Sequence, residues 1–143
     1  MKVTKTVKFE MAHRLVNHCG LCKNVHGHSY VVDITLEGTM SNNGMILDFS
    51  NIKQLWEKYQ TLFDHSIMLE DCPENELLIN TLKTMGMKLN VVKFNPTAEN
   101  MAIMFKENLQ KDLHEIASKN KFDNFIKVCS VRVHETVSSF AEV

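Results

Sequence analysis

The stretch His26-Gly27-His28-Ser29-Tyr30-Val31-Val32-Asp33-Ile34-Thr35-Leu36-Glu37 alternates between two kinds of side chain. The even positions carry apolar residues or imidazoles, and the odd positions are mostly polar. A period of two residues is typical of a half-buried β-strand. We therefore predict a strand here that places two imidazoles on its buried face.

The segments on either side extend this β-structure. Over residues 3–13 apolar side chains again take alternate positions, which predicts a strand ending at His13. Ser41-Asn42-Asn43-Gly44 has the composition of a turn, because Asn-Gly tolerates positive φ. We expect Met45-Ile46-Leu47 to pair back as a third strand.

The apolar period then changes to three and four residues, which is typical of amphipathic helices. Helices are predicted over residues 52–63 (capped by Asp48 or Ser50), over 74–85, and from Asn95-Pro96-Thr97 onward, with Thr97 as cap. Short strands are predicted over residues 89–94 and 125–136, and residues 138–143 extend or pair with the last strand. This order predicts a single α+β domain over residues 1–143, with an antiparallel sheet and helices on one face.

Composition narrows the possible partners and the compartment. The chain has 143 residues, of which 44% are hydrophobic, and a formal net charge of -1. A packed globular protein without an excess of positive charge is a poor partner for nucleic acid. The start of the chain has no apolar signal block, and no run approaches the ~20 apolar residues of a membrane span. We expect a cytoplasmic protein with no membrane partner, in which cysteines stay reduced.

Three histidines suggest a metal site. His26 and His28 lie two apart on one strand face, and His13 ends the preceding strand on its apolar face. Pairing of the two strands would bring three imidazoles to one point, leaving a fourth tetrahedral position open, as in catalytic zinc sites. The alternative is that each histidine is a hydrogen-bonded interior residue.

Cys19 and Cys22 form a C-x-x-C pair with several interpretations. They could be a redox pair, or could complete a closed four-ligand zinc site with His26 and His28. Alternatively, one is an incidental loop thiol and the other, beside the open metal position, is a general base.

Two carboxylates also stand out. Asp64 directly precedes His65 after the first predicted helix, where it could orient the imidazole for proton transfer or merely be part of a solvated helix end. Glu135 shares the alternation of the last strand with Cys129, Val131 and Val133, so its carboxylate faces the apolar side and needs donors. The N–H edge of a guanine-like heterocycle would satisfy it, and so would a salt bridge to Arg14 or to a lysine.

Together these motifs resemble the 6-pyruvoyltetrahydropterin and 6-carboxytetrahydropterin synthase family. The matching segments are Phe9-Glu10-Met11-Ala12-His13-Arg14-Leu15, Cys22-x3-His26-Gly27-His28-Ser29-Tyr30, Gly44-Met45-Ile46-Leu47-Asp48-Phe49, Asp64-His65, Pro96-Thr97-Ala98-Glu99-Asn100 and Glu135-Thr136. The resemblance implies zinc ligands at His13, His26 and His28, catalytic residues at Cys22, Asp64 and His65, and pterin-binding residues at Glu135, Thr97 and Glu99. Three residues between Cys22 and His26 resemble the bacterial 6-carboxy branch of queuosine biosynthesis. Cys19 and a longer segment over residues 70–95 depart from the family pattern.

The same resemblance implies an architecture and a reaction. The architecture is the tunnelling fold, a four-stranded antiparallel sheet with helices on one side, assembled into trimers that stack as a homohexamer. The implied reaction converts 7,8-dihydroneopterin triphosphate to 6-carboxy-5,6,7,8-tetrahydropterin, acetaldehyde and triphosphate. The nearest alternative stops at 6-pyruvoyltetrahydropterin, and a remote one is a non-catalytic zinc module.

Overall fold

A long antiparallel hairpin forms the centre of the sheet. The computed structural model, which describes residues 1–120, 122 and 124–143, contains strands β1 (Lys2–His13) and β2 (His26–Gly38). Their register runs from Lys2 opposite Glu37 to His13 opposite His26. The two strands predicted from alternation are confirmed, and one end of the hairpin carries two imidazoles side by side.

Further strands and helices complete the described part of the chain. They are α1 (Phe49–Phe63), β3 (Ser66–Glu70), α2 (Glu76–Thr84), β4 (Leu89–Val92), α3 (Ala98–Asn120), β5 (Ile126–His134) and β6 (Phe140–Glu142). The order across the sheet is β4-β3-β1-β2-β5-β6. Strand β3 is parallel to β1 and β4 is parallel to β3, whereas β5 and β6 pair antiparallel. The expected four-stranded antiparallel sheet is therefore corrected to a six-stranded mixed sheet over the described residues.

The sequence pattern does not reveal β3, because its residues do not alternate. Ile67, Met68 and Leu69 form a short continuous apolar run, which is typical of a strand between parallel neighbours. Helix α1 connects β2 to β3, which lies on the other side of β1.

The predicted third strand at residues 45–47 is wrong, although the turn before it is confirmed. Gly44 has a φ of 80° and donates its N–H to the Ser41 carbonyl, which closes the turn. Ile46 and Leu47 are buried in the core as part of a loop rather than a strand. Both edges of the hairpin are occupied, by β3 on one side and β5 on the other, so no edge remains for this segment.

Helices α1 and α3 cover one face of the sheet, which confirms the α+β class. Phe9 of β1 stacks on Tyr30 of β2 at a ring-centroid distance of 5.1 Å, and Phe9 also contacts Trp56 of α1 and Phe105 of α3. Full burial of each such aromatic side chain contributes roughly 1.5–3 kcal/mol. This aromatic cluster fixes the helices directly behind the hairpin that carries the histidines.

The helix boundaries follow the predicted caps. The Asp48 side chain accepts a hydrogen bond from the Ser50 amide at 2.7 Å at the start of α1, and Thr97 Oγ accepts from the Asn100 amide at 3.3 Å at the start of α3. Gly86 follows α2 with a φ of 69°, as expected for a helix-ending glycine. Among the described residues, no helix is both long and apolar enough to cross a membrane.

A β-bulge changes the expected register of the last long strand. The β2–β5 pairing shifts between Thr35 and Leu36, which gives β5 an extra residue at this point. As a result Cys129 leaves the apolar face and is only half-buried, while Val128 and Val131 are buried. The predicted alignment of Cys129 with Glu135 is therefore wrong, and Glu135 lies one residue beyond β5.

Candidate functional site

Three imidazoles converge at the end of the hairpin. The strand register places His13 opposite His26, and His28 follows on the same face of β2. The ring centroids are 4.5 Å apart for His13–His26, 5.2 Å for His13–His28 and 5.0 Å for His26–His28. One nitrogen from each ring lies within 4.8 Å of the others, a spacing that can hold a metal ion. Neither Cys19 nor Cys22 belongs to this group.

Main-chain carbonyls orient two of the rings. His13 Nδ1 lies 2.7 Å from the Pro96 carbonyl oxygen, and His26 Nδ1 lies 2.8 Å from the Asn24 carbonyl oxygen. Each Nδ1 donates its proton there when the ring is neutral, which leaves both Nε2 lone pairs facing one another at 3.1 Å. A cation between the two nitrogens would remove the repulsion. Burial lowers the pKa of His13 to about 4, so this ring is neutral and able to ligate a metal at neutral pH.

Tyr30 is a site residue that the sequence analysis did not single out. Its side chain is fully buried, and its hydroxyl lies 3.2 Å from His13 Nδ1. Burial raises the pKa of Tyr30 well above its usual value, and the charges of Glu135 and Cys22 add to this effect. The spacing His-x-His-x-Tyr on one strand face was the available signal.

The two cysteines of the C-x-x-C pair are in different environments. Cys22 lies in a short 3-10 turn, Leu21–Lys23, and is half-buried, whereas Cys19 is exposed. The Leu15 amide, two residues after His13, donates to the Cys22 carbonyl at 3.0 Å, so the turn that carries Cys22 lies beside the end of β1. Cys19 is left in the solvent.

Asp64 and His65 form a pair at the junction of α1 and β3. Asp64 Oδ2 lies 3.0 Å from His65 Nδ1. The main chain of Glu10 holds both residues: its N–H donates to Asp64 Oδ1 at 2.8 Å, and its carbonyl accepts from the His65 amide at 2.7 Å. That N–H is the main reason why the pKa of Asp64 lies below its usual value.

His65 has a strained backbone, with a φ of 55°. Non-glycine residues seldom adopt this conformation, and strain of this kind concentrates at functional sites. The imidazole is largely exposed and borders a pocket of about 310 Å³ that also contacts His28. The other residues that line this pocket are Glu10, Met11, Ala12, Gly27, Ser29 and Ser66. His65 of the acid–imidazole pair and the metal-ligand candidate His28 thus line the same pocket.

Glu135 supplies an unsatisfied acceptor next to the histidines. Its Oε1 is buried, lies 3.8 Å from His13 Nε2, and has no hydrogen-bond partner within residues 1–120, 122 and 124–143. Burial raises the pKa of Glu135, and the nearby charge of Glu99 raises it further. The alternative of a salt bridge to Arg14 does not form, because Arg14 donates to the Lys23 carbonyl and to Glu74 and Asn75, just before α2.

Thr97 and Glu99 lie at the start of α3, next to Pro96. Thr97 is half-buried and serves as the helix cap, while Glu99 is exposed in the first turn. The structure brings this turn close to the histidines through the Pro96 carbonyl and close to Glu135 through the charge of Glu99. These features define an α+β protein with a three-imidazole site that can hold a metal ion.

Comparison with known proteins assigns the family. The family model described as 6-pyruvoyl tetrahydropterin synthase matches residues 2–143, and the chain belongs to this family. A 6-carboxy-5,6,7,8-tetrahydropterin synthase of Rickettsia typhi is 34% identical over 145 residues, covering 100% of this chain and 99% of the relative. A protein of the same name from Haemophilus influenzae is 32% identical over 147 residues, covering 99% and 96%.

Solved structures support the fold. An uncharacterized protein from Wolinella succinogenes superimposes with a TM-score of 0.84 at 21% identity, over 100% of this chain and 97% of that one. The 6-pyruvoyl tetrahydropterin synthase of Caenorhabditis elegans gives a TM-score of 0.69 at 21% identity, over 100% and 94%. The tunnelling-fold prediction is confirmed at the level of the fold.

Proposed function

We propose that this protein is a zinc-dependent 6-carboxy-5,6,7,8-tetrahydropterin synthase that converts 7,8-dihydroneopterin triphosphate and one water to 6-carboxy-5,6,7,8-tetrahydropterin, acetaldehyde and triphosphate. The observation that carries the proposal is full-length similarity to relatives of that name, at 34% and 32% identity. We further propose that its product enters 7-deazaguanine and queuosine biosynthesis in the cytoplasm.

The histidine geometry supports zinc as the metal. Two nitrogens bound tetrahedrally to Zn²⁺ at about 2.0–2.1 Å lie about 3.3 Å apart. The Nε2 atoms of His13 and His26 are 3.1 Å apart, close to this value, and one nitrogen of each of the three rings lies within 4.8 Å of the others. Bound zinc would act as a Lewis acid toward the hydroxyl groups of the substrate side chain.

Glu135, Thr97 and Glu99 are proposed to bind the pterin ring. The unpartnered, buried Oε1 of Glu135 is an acceptor suited to the amino and ring N–H groups of a pterin. Thr97 and Glu99 form the helix start on the neighbouring wall of the site. Since a carboxylate accepts two parallel donors and cannot donate, this site favours a ring edge with adjacent N–H groups.

Cys22, Asp64 and His65 are proposed to move protons. Cys22 would take a proton from the substrate side chain as general base. His65 would relay a second proton, and Asp64, 3.0 Å from its Nδ1, would hold the ring orientation and stabilise its protonated form. Triphosphate would then leave by elimination, and cleavage of a carbon–carbon bond of the side chain with consumption of one water would release acetaldehyde and leave the carboxylate on the pterin.

We also propose that the protein assembles as a homohexamer, a dimer of trimers. Strands β4 and β6 lie at the two ends of the sheet order, and unpaired strand edges are commonly closed by association. Sedimentation analysis would test this assembly, and a monomer at micromolar concentration would contradict it.

The second candidate is a 6-pyruvoyltetrahydropterin synthase, because the matching family model and the Caenorhabditis elegans structure carry that name. Product analysis from 7,8-dihydroneopterin triphosphate separates the two. Acetaldehyde with 6-carboxytetrahydropterin supports our proposal, whereas 6-pyruvoyltetrahydropterin without acetaldehyde selects the alternative. Absence of any pterin turnover by the zinc-loaded protein would contradict both.

A further inference from the structure

Arg14 joins two segments of the chain that flank the site. It directly follows His13, and its Nε donates to the Lys23 carbonyl at 2.9 Å. Its Nη1 donates to the Glu74 carbonyl at 3.1 Å and to Asn75 Oδ1 at 2.8 Å. Because the guanidinium is planar and its N–H groups point in fixed directions, these hydrogen bonds fix the orientation of the side chain.

Asn75 gives this contact a rigid base. Its side chain is fully buried, and its Nδ2 donates to the Glu70 carbonyl at 3.0 Å while its Oδ1 accepts from Arg14. Its amide donates to the Cys72 carbonyl at 3.0 Å. Because both ends of the amide group are used, Asn75 is fixed between β3 and α2. It belongs to the long segment over residues 70–95 for which sequence reasoning found no role.

The other end of the contact is the turn that carries Cys22. The Leu15 amide donates to the Cys22 carbonyl at 3.0 Å, and Arg14 donates to the next carbonyl, that of Lys23. Arg14 and Leu15, the two residues that follow β1, therefore donate hydrogen bonds to two consecutive carbonyls of the turn. The residues of this turn are exposed or half-buried, so apolar packing contributes little to its position.

We propose that Arg14, braced by Asn75, is a positioning residue that fixes the Cys22 turn beside the histidine site. This inference rests on the proposed role of Cys22 as general base. A displacement of about 1 Å at a catalytic group can cost on the order of 10²-fold in rate, so a small surface turn needs this kind of anchor. The segment over residues 70–75 thereby becomes part of the support of the site.

The test is Arg14→Gln in the zinc-loaded protein, with kcat, KM, bound zinc and hydrogen exchange measured together. We expect kcat to fall at least about 10-fold while KM and zinc content stay close to wild type. Amide exchange in a peptide covering residues 15–25 should become at least about 10-fold faster, with β5 unchanged. Arg14→Lys, which keeps the charge without the fork, should recover only part of the loss.

Two further variants separate positioning from charge and folding. Asn75→Asp keeps the acceptor for Arg14 and should retain more activity than Asn75→Ala, which removes it. Arg132→Gln removes a positive charge from β5, where Arg132 pairs with Glu142, and should leave kcat unchanged.

Each outcome bears on the proposal. Wild-type kcat and exchange in Arg14→Gln overturn it, and so does loss of zinc, which would mean that Arg14 supports His13 rather than the turn. If Cys22→Ala retains full turnover, the proposed base is wrong. The exchange of residues 15–25 still reports whether Arg14 holds the turn, so the two failures are distinguishable.

Discussion

Replacing Glu135 by glutamine should change stability and ligand affinity in opposite directions. The substitution preserves the shape of the side chain, removes its charge and turns one acceptor into a donor. If Glu135 served only in packing, its substitution would lower stability without another effect. If it serves to bind a ligand, its carboxylate should destabilise the ligand-free protein and stabilise the complex.

The gain in stability can be scaled from the environment of the carboxylate. The side chain of Glu135 is 28% exposed, but its Oε1 is buried without a partner among the described residues. An unsatisfied buried polar group costs about 1–3 kcal/mol, and partial exposure places this case at about 1 kcal/mol. We expect metal-free Glu135→Gln to unfold about 3 °C above the metal-free wild type.

The loss of affinity should be larger. A carboxylate can accept two charge-assisted hydrogen bonds from a pterin edge. Glutamine keeps one acceptor oxygen, and its NH2 group would face the second N–H donor of the pterin. The expected cost is about 2–4 kcal/mol, or roughly 30- to 700-fold in Kd. Calorimetric titration of the zinc-loaded protein with a non-reactive pterin measures this directly.

Glu107→Gln provides the matched control, because it makes the same chemical change at an exposed position of α3. It should alter neither melting temperature nor pterin affinity. Unchanged pterin affinity in Glu135→Gln, together with equal or lower stability of the metal-free protein, would refute the assignment of Glu135 as the pterin anchor.

Three other substitutions test the remaining roles. His28→Ala should release bound metal on dialysis because only two imidazoles remain, while His114→Ala should not; full retention by His28→Ala would refute the ligand set. Cys22→Ala should keep zinc but slow turnover about 10²-fold, and Cys19→Ala should be nearly silent; the reverse pattern would show that Cys19 is the base. The pKa of Asp64 is lowered from its ordinary 3.8 by a main-chain N–H, so its carboxylate stabilises the fold above that pH and less as the pH falls through the folded-state pKa. The stability difference between wild type and Asp64→Asn should therefore shrink in acid, and a pH-independent difference would contradict this reasoning.

Local periodicity was sufficient for the central hairpin but not for the rest of the sheet. Strands β1 and β2 alternate along their whole length, and one residue of slip would turn the apolar face outward, so their pairing is strongly specified. The bulge opposite Thr35 and Leu36 and the parallel position of β3 depend on which strands become neighbours. Residue spacing within one segment carries no information about such neighbours.

The same distinction applies to the site. The grouping of His13, His26 and His28 follows from strand period and pairing, which are local properties. Two other contacts come from main-chain or buried polar atoms: the Pro96 carbonyl behind His13, 83 residues away in the chain, and Asn75 behind Arg14, 61 residues away. No pattern of side chains along the sequence indicates either contact.

The placement of the metal-ligand candidates on one hairpin has a consequence for how the family can diversify. All three candidates lie within residues 13–28, whereas Glu99 and Glu135 come from the C-terminal half of the chain. The contact between the C-terminal half and His13 is made by the main-chain carbonyl of Pro96, so a change of side chain in that half does not remove the carbonyl. Side-chain replacements in the C-terminal half therefore leave the contact that orients His13 in place, so the residues proposed to bind the pterin can change while the metal-ligand candidates keep their arrangement.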